Sequence, residues 1–138
     1  MSRIMIRLLY ISQAAPSISD LDLRDILQSS QTSNAALDIT GVLVFGGGTF
    51  VQVLEGPEQK VLRLYVKIMD DKRHDNCRIV YITPTRNRLF GEWSMGVIES
   101  DPLEFQHIAE FTALREETVE ATSFKNIIQK FLIRLKAQ

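Results

Sequence analysis

Residues 39–56 read ITGVLVFGGGTFVQVLEG, and this stretch decides the fold. Ile39 to Phe45 and Thr49 to Glu55 are two runs rich in β-branched and aromatic residues, the composition of strands. Gly46-Gly47-Gly48 lies between them and suits a tight hairpin, because glycine takes up turn conformations without steric cost. A phosphate cradle also needs glycines, but neither GxGxxG nor GxxxxGK[ST] is present. Gly56 ends the second run. Pro57 followed by Glu58 is a good helix start, and Val61, Leu62, Tyr65, Ile68 and Met69 recur at helical spacing toward Asp71.

Working outward, Arg3 to Ser12 reads as a strand with Ile4, Ile6, Leu8 and Tyr10 on one face. Pro16-Ser17 breaks it. Ser19 or Ser17 can cap a helix with Asp20 and Asp22 in its first turn and Leu23, Ile26, Leu27 and Ser30 inward. That helix is expected to fade in the polar stretch Ser29 to Asn34. Beyond the hairpin and its helix, Arg78 to Thr83 is a short strand, Pro84 to Arg88 a basic loop and Glu92 to Ile98 a fifth strand. Asp101-Pro102 opens a helix with Leu103, Ile108, Phe111 and Leu114 inward, and Phe124, Ile127, Ile128, Phe131, Leu132 and Leu135 mark a last amphipathic helix. The pattern is βαββαββ followed by two helices. It implies an α+β, ferredoxin-like arrangement with helices on one sheet face and the C-terminal pair on the other.

The composition narrows the function classes. A chain of 138 residues suffices for one domain with a sizeable core. Sixteen Lys+Arg against seventeen Asp+Glu leave a net charge of −1, so no nucleic-acid partner relying on a strong basic field is expected. No apolar run approaches the ~20 residues that span a bilayer, so no membrane association is expected. MSRIMIRLLYISQ has arginines interrupting its apolar stretch and no small-residue cleavage site, which argues against a signal peptide. A single Cys77 suits a reducing cytoplasm. Two histidines and one cysteine cannot build a structural zinc site, and there is no HExxH, CxxC or GxSxG. Any chemistry here is expected to come from a borrowed cofactor.

Several polar residues interrupt apolar surfaces. Gln52 is flanked by Phe50, Val51, Val53 and Leu54, and a buried amide needs partners for both its ends. It is either a rim-exposed or backbone-bonded glutamine, or an amide facing a ligand. Tyr10 closes the apolar face of the first strand, as a core phenol or as a partner for such an amide. Trp93 and Met95 are two apart and are expected to share one face of the last strand, where plain packing explains them. Asn34 suits a turn or cap, and Asp70-Asp71-Lys72-Arg73-His74 is expected to end the second helix, where cations are favourable.

Taken together, these residues resemble the BLUF family of blue-light sensors that use FAD. The matching stretches are LLYIS around Tyr10, SSQTSNAALDITG with Asn34, FVQVLEG with Gln52, the DDKRH run with Arg73 and His74, and EWSM with Trp93 and Met95. They cover residues 3 to 98, dividing the chain into a flavin-binding core, 1–98, and a helical extension, 99–138. The resemblance implies FAD held between the first two helices against the sheet. It implies that Tyr10 bonds Gln52, that Gln52 faces flavin N5 and C4=O, and that Asn34 holds the carbonyl edge. Arg73 and His74 would stand at the pyrimidine end, with Ile26 and Ile68 sandwiching the ring. Lys67, or Arg86 and Arg88, would meet the phosphates. Ser33, before the asparagine, is not aromatic, so no ring stacking is expected from that side.

In such a sensor, light draws an electron and proton from the tyrosine, and the glutamine then rotates or tautomerises. Trp93 and Met95 are the implied relay. No enzymatic activity is expected of the chain itself. The resemblance implies a homo-oligomer that signals to a separate effector protein through the C-terminal helices. An acylphosphatase-type hydrolase is the alternative on this scaffold, but it would want an arginine in the loop Ser12-Gln13-Ala14-Ala15-Pro16, which has no cation.

Overall fold

The computed structural model describes residues 4–99, 129–130 and 132–137. The elements are β1 (Met5–Ala14), α1 (Asp20–Ala36), β2 (Thr40–Gly46), β3 (Thr49–Pro57), α2 (Glu58–Met69), β4 (His74–Thr85) and β5 (Gly96–Glu99). The five strands form one sheet in the order β4-β1-β3-β2-β5. All pairs are antiparallel except β2–β5, which is parallel. This is the α+β, ferredoxin-like arrangement, with β5 added at one edge.

The hairpin forms as the glycines require. Gly46 still pairs with Thr49, so the loop is only Gly47-Gly48, at φ 57° and 75°. Two successive residues at positive φ are the requirement of a type I′ turn, whose twist matches that of the strands it joins. The turn fixes the β2–β3 register, and β3 becomes the central strand, buried from Phe50 to Pro57. Its alternate residues feed two cores. On one face Ile6, Leu8, Tyr10, Leu43, Leu54 and Met95 pack under Val61 and Tyr65 of α2. On the other, Leu9, Ile11, Val42, Val44, Val51, Val53, Phe90 and Ile98 pack with Leu132 and Leu135 from the C-terminal helical residues.

Four expectations are corrected. First, α1 does not fade at Ser29 but runs to Ala36. Its polar face is compatible with a helix because it lines a cavity and needs no apolar cover. Ser19 caps it in a capping box, its hydroxyl accepting from the Asp22 amide at 3.1 Å and the Asp22 carboxylate accepting from the Ser19 amide at 3.0 Å. Second, α2 stops at Met69 with Asp70 as its C-cap, so Asp71 to Arg73 form a link and His74 opens β4. Third, β4 is longer than Arg78 to Thr83, because β1 offers it a partner from Met5↔Thr85 to Ala14↔His74. Fourth, β5 begins only at Gly96, so Trp93 and Met95 stand in an irregular turn and the two-residue period does not apply to them. They do not share a face: Met95 joins the α1–α2 side, and Trp93 packs against the opposite core. The expected helix with Leu103, Ile108, Phe111 and Leu114 lies outside the described residues, as does most of the last helix.

Close approach explains two glycines. A Cβ on Gly41 would lie 1.9 Å from the Val53 carbonyl oxygen, and one on Gly96 would lie 2.7 Å from Cδ2 of Leu135. The first obstacle is backbone and cannot yield. Gly41→Ala is therefore expected to destabilise the fold by roughly 3 kcal/mol or more. Gly96→Ala meets only the end of a flexible side chain and is expected to lower the midpoint of thermal unfolding less. Thermal unfolding of the two variants side by side checks the order.

Candidate functional site

Antiparallel pairing sets Tyr10 of β1 directly opposite Gln52 of β3, so both side chains leave the sheet on the same face. They are 3% and 4% exposed, too little for water to satisfy their polar ends. The Tyr10 hydroxyl donates to Oε1 of Gln52. The Gln52 amide nitrogen in turn donates to the Met95 thioether at 3.4 Å. A thioether is a weak acceptor, so the amide's strong donor is spent on a weak partner. Burial, with smaller contributions from nearby Cys77, Tyr65 and Asp71, pushes the Tyr10 phenol well above its ordinary pKa. The Tyr65 ring, centred 5.2 Å away and tilted by 54°, closes one side.

Tyr10 and Gln52 form the floor of a cavity of about 190 Å³ between α1 and α2. From α1, Ile26, Ser29, Ser30, Ser33 and Asn34 line one wall at helical spacing. Leu64, Lys67 and Ile68 of α2 line the other, and Asp71, Arg73 and His74 close one end. Among the residues singled out from the sequence, Tyr10, Gln52, Asn34, Ile26, Lys67, Ile68, Arg73 and His74 all border this space. Trp93 and Met95 do not line it, and Met95 reaches it only through Gln52.

The polar groups around the cavity are individually placed. Asn34, 1% exposed, donates to the Ser94 carbonyl at 3.0 Å, and Gln31 donates to the Met95 carbonyl at 3.3 Å. The ring nitrogen Nε2 of His74 faces the Ile68 carbonyl, which can only accept, so this nitrogen carries a proton. In the neutral ring, Nδ1 then accepts from the Ser12 hydroxyl at 2.7 Å. Arg73 donates to both oxygens of Asp71 and to Asp25 of α1 at 2.8 Å, tying the end of α2 to α1. Those hydrogen bonds hold the Asp71 carboxyl below its ordinary range. Lys67 has no ion-pair partner among the described residues. Of the loop arginines, Arg88 is engaged elsewhere, on Asp38 at 3.0 Å and Thr40 at 3.0 Å, and neither Arg86 nor Arg88 borders the cavity.

The serines of α1 and Asp71 were not read from the sequence as site residues. Ser29, Ser30, Ser33 and Asn34 follow Ile26 at steps of three and four, the signal of a helix face, but the polar stretch masked it. Asp71 was hidden in a charge run. The cavity suits a flat heteroaromatic ring. It has Ile26 on the otherwise polar α1 wall facing Leu64 and Ile68 of α2, a donor–acceptor amide in its floor and, in Lys67, a cation without an ion-pair partner among the described residues. Among the described residues there is no group of three or more metal-ligating side chains, and no helix long and apolar enough to cross a membrane.

Comparison with known proteins gives the family. The family described as "BLUF: Sensors of blue-light using FAD" matches residues 5–96. The photoactivated adenylate cyclase subunit beta of Euglena longa is 43% identical over 89 residues, 64% of this chain and 10% of that protein. The alpha subunit of Euglena gracilis is 45% identical over 87 residues, 63% of this chain and 8% of that protein. This chain thus spans a tenth or less of those curated relatives. Among solved structures, BlsA in its photo-activated state superposes with a TM-score of 0.78 at 29% identity, covering 94% of this chain and 95% of that one. The dark-state structure of BlrB, a BLUF protein, gives 0.77 at 25% identity, over 98% and 100%. A family match over residues 5–96, most of the chain, leads to one conclusion: this chain belongs to the BLUF family of flavin-dependent blue-light sensors.

Proposed function

We propose that this chain binds FAD between α1 and α2 and signals light through Tyr10, Gln52 and Met95. The buried Tyr10–Gln52–Met95 series beneath the cavity is the observation that carries the reading. When bound, the flavin supplies the absorption and the redox chemistry. Ile26 and Ile68 are assigned to its two faces, Asn34 to its carbonyl edge, Arg73 and His74 to its pyrimidine end and Lys67 to a phosphate.

The protein's part follows from the amide. Tyr10 holds its proton against Oε1 of Gln52, and that phenol would supply the electron and the proton that a bound, excited flavin would accept. Gln52 has an acceptor at one end and donors at the other, so turning it over exchanges the partners it satisfies. In the present orientation its donor meets only the Met95 sulfur. Reversal aims the NH₂ and the carbonyl oxygen at different neighbours, and in a buried network each mispaired group costs roughly 1–3 kcal/mol. Met95 must therefore answer the reorientation. Its next residue, Gly96, lies against Leu135, which offers a path to the C-terminal helical residues.

We assign the output to a separate effector protein reached through those helices, with the sensor acting as a homo-oligomer in the cytoplasm. The match to BlsA and BlrB, which runs along nearly all of each chain, supports this reading. The matches to a bacterial light-regulated adenylyl cyclase and to the Euglena cyclases, which cover only part of those proteins, support coupling of such sensors to an effector.

The purified protein is expected to be yellow, with an absorption band that shifts reversibly to the red under blue light. A colourless protein after reconstitution with FAD would overturn the reading. Tyr10→Phe and Gln52→Leu are expected to keep the flavin and lose the reversible shift, as read by absorption spectra before and after illumination.

The Tyr10 phenol also predicts a pH dependence. Its folded-state pKa lies above 10.0, so the neutral phenol's contribution to stability is complete below pH 10. It is lost as pH rises from there toward the folded-state value. Urea midpoints should fall above pH 10 in the wild type and fall less in Tyr10→Phe, the difference isolating this group from the lysines.

A further inference from the structure

On the sheet face opposite the cavity, one carboxylate is used more completely than fold stability requires. Glu55 follows Gln52 by three residues on β3, so it points the other way, and it is wholly buried. Its Oε2 accepts from Arg7 at 2.8 Å and from the Leu89 amide at 2.9 Å. Its Oε1 accepts from the Phe90 amide at 2.7 Å and from the Thr40 hydroxyl at 3.5 Å. An apolar pair of similar size would often stabilise a core as well as a buried ion pair does. What an apolar pair cannot do is catch two successive backbone amides on the two oxygens of one group.

The amides caught belong to the chain that leads to Met95. Phe90 is fully buried, and its carbonyl accepts from the Trp93 amide at 3.0 Å. The Trp93 carbonyl accepts from the Gly41 amide at 3.1 Å. The next two carbonyls, of Ser94 and Met95, are held by Asn34 and Gln31 of α1. The path from Glu55 to Met95 therefore has fixed points at Leu89, Phe90, Trp93 and Ser94, ending where the Met95 sulfur accepts from Gln52.

We propose that Glu55 is a positioning residue for the light response: from the far face of β3 it fixes Leu89 and Phe90 so that the following turn delivers Met95 to Gln52. The proposal rests on the sensor reading given above. It makes the motif residue that follows Gln52 by three a determinant of how the amide is answered, and not only of how the sheet is built.

The test uses the full chain reconstituted with FAD, as wild type, Glu55→Gln, Met95→Leu and the double variant. Glutamine keeps the shape but offers one acceptor where two are needed, so one of the two backbone amides loses its partner. Glu55→Gln is expected to change the half-time of dark recovery about threefold or more, the size of one lost hydrogen bond. In the Met95→Leu background, where the sulfur is gone, the same substitution should change it little. An equal factor in both backgrounds, or an unchanged half-time in the first, overturns the proposal.

Trp93, the chain's single tryptophan, gives a second reading that needs no photocycle. Its quenching by acrylamide should rise in Glu55→Gln, and quenching equal to wild type overturns the proposal. If the wild type shows no red shift, the sensor reading fails and the role of Glu55 in the light response falls with it, whereas unchanged quenching in a protein that does shift overturns the positioning role alone. If Glu55→Gln does not fold, Leu89→Pro removes a single amide donor at a partly exposed position and is read by the same two criteria.

Discussion

The structure depends on one constraint: its central strand is buried on both faces and yet carries two polar side chains that point opposite ways. Gln52 and Glu55 each arrive in a core where an unmet polar atom is costly. Each obliges its surroundings to supply partners. The amide draws in the phenol of the neighbouring strand and the sulfur of the turn before β5. The carboxylate draws in Arg7, also from β1, and the backbone at Leu89 and Phe90. Because Tyr10 and Arg7 are three apart on β1, as Gln52 and Glu55 are on β3, one antiparallel register serves both. A slip of either strand by one residue would turn its own two polar side chains to the wrong faces.

The glycine hairpin sets the register on the other side of β3, with β2. With two residues at positive φ there is one comfortable way to close β2 on β3, and the alternation of β3 follows. Gly41 reinforces it from the neighbouring strand, since only a residue without a Cβ clears the Val53 carbonyl. Geometry at a turn far from the cavity thus decides which way Gln52 faces.

Much of this was legible in the sequence, and the reasons for the remainder are physical. The hairpin, the α2 periodicity and the strand containing Tyr10 are local patterns, and each formed where local chemistry places it. Tyr10, Asn34, Gln52, Arg73 and His74 were legible as a set by family resemblance, since no single one is distinctive. The extent of α1 was not legible, because Ser29 to Asn34 lack the apolar residues that announce a helix. Those residues are polar because they line a cavity, and propensity says nothing about a cavity. The spacing of Trp93 and Met95 puts them on one face only in an extended strand. Tertiary hydrogen bonds at Phe90, Gly41 and Asn34 instead hold that stretch as a turn. The work of Glu55 was illegible for the same reason, since its partners on Leu89 and Phe90 are backbone atoms and leave no trace in side-chain identity.

The placement of Trp93 and Met95 on opposite faces has a mechanical consequence. One residue separates them, so a single short piece of backbone is anchored in both hydrophobic layers at once. The layer beside the cavity and the layer that holds Leu132 and Leu135 therefore share one piece of backbone, and the main chain under one of these side chains cannot shift without carrying the other.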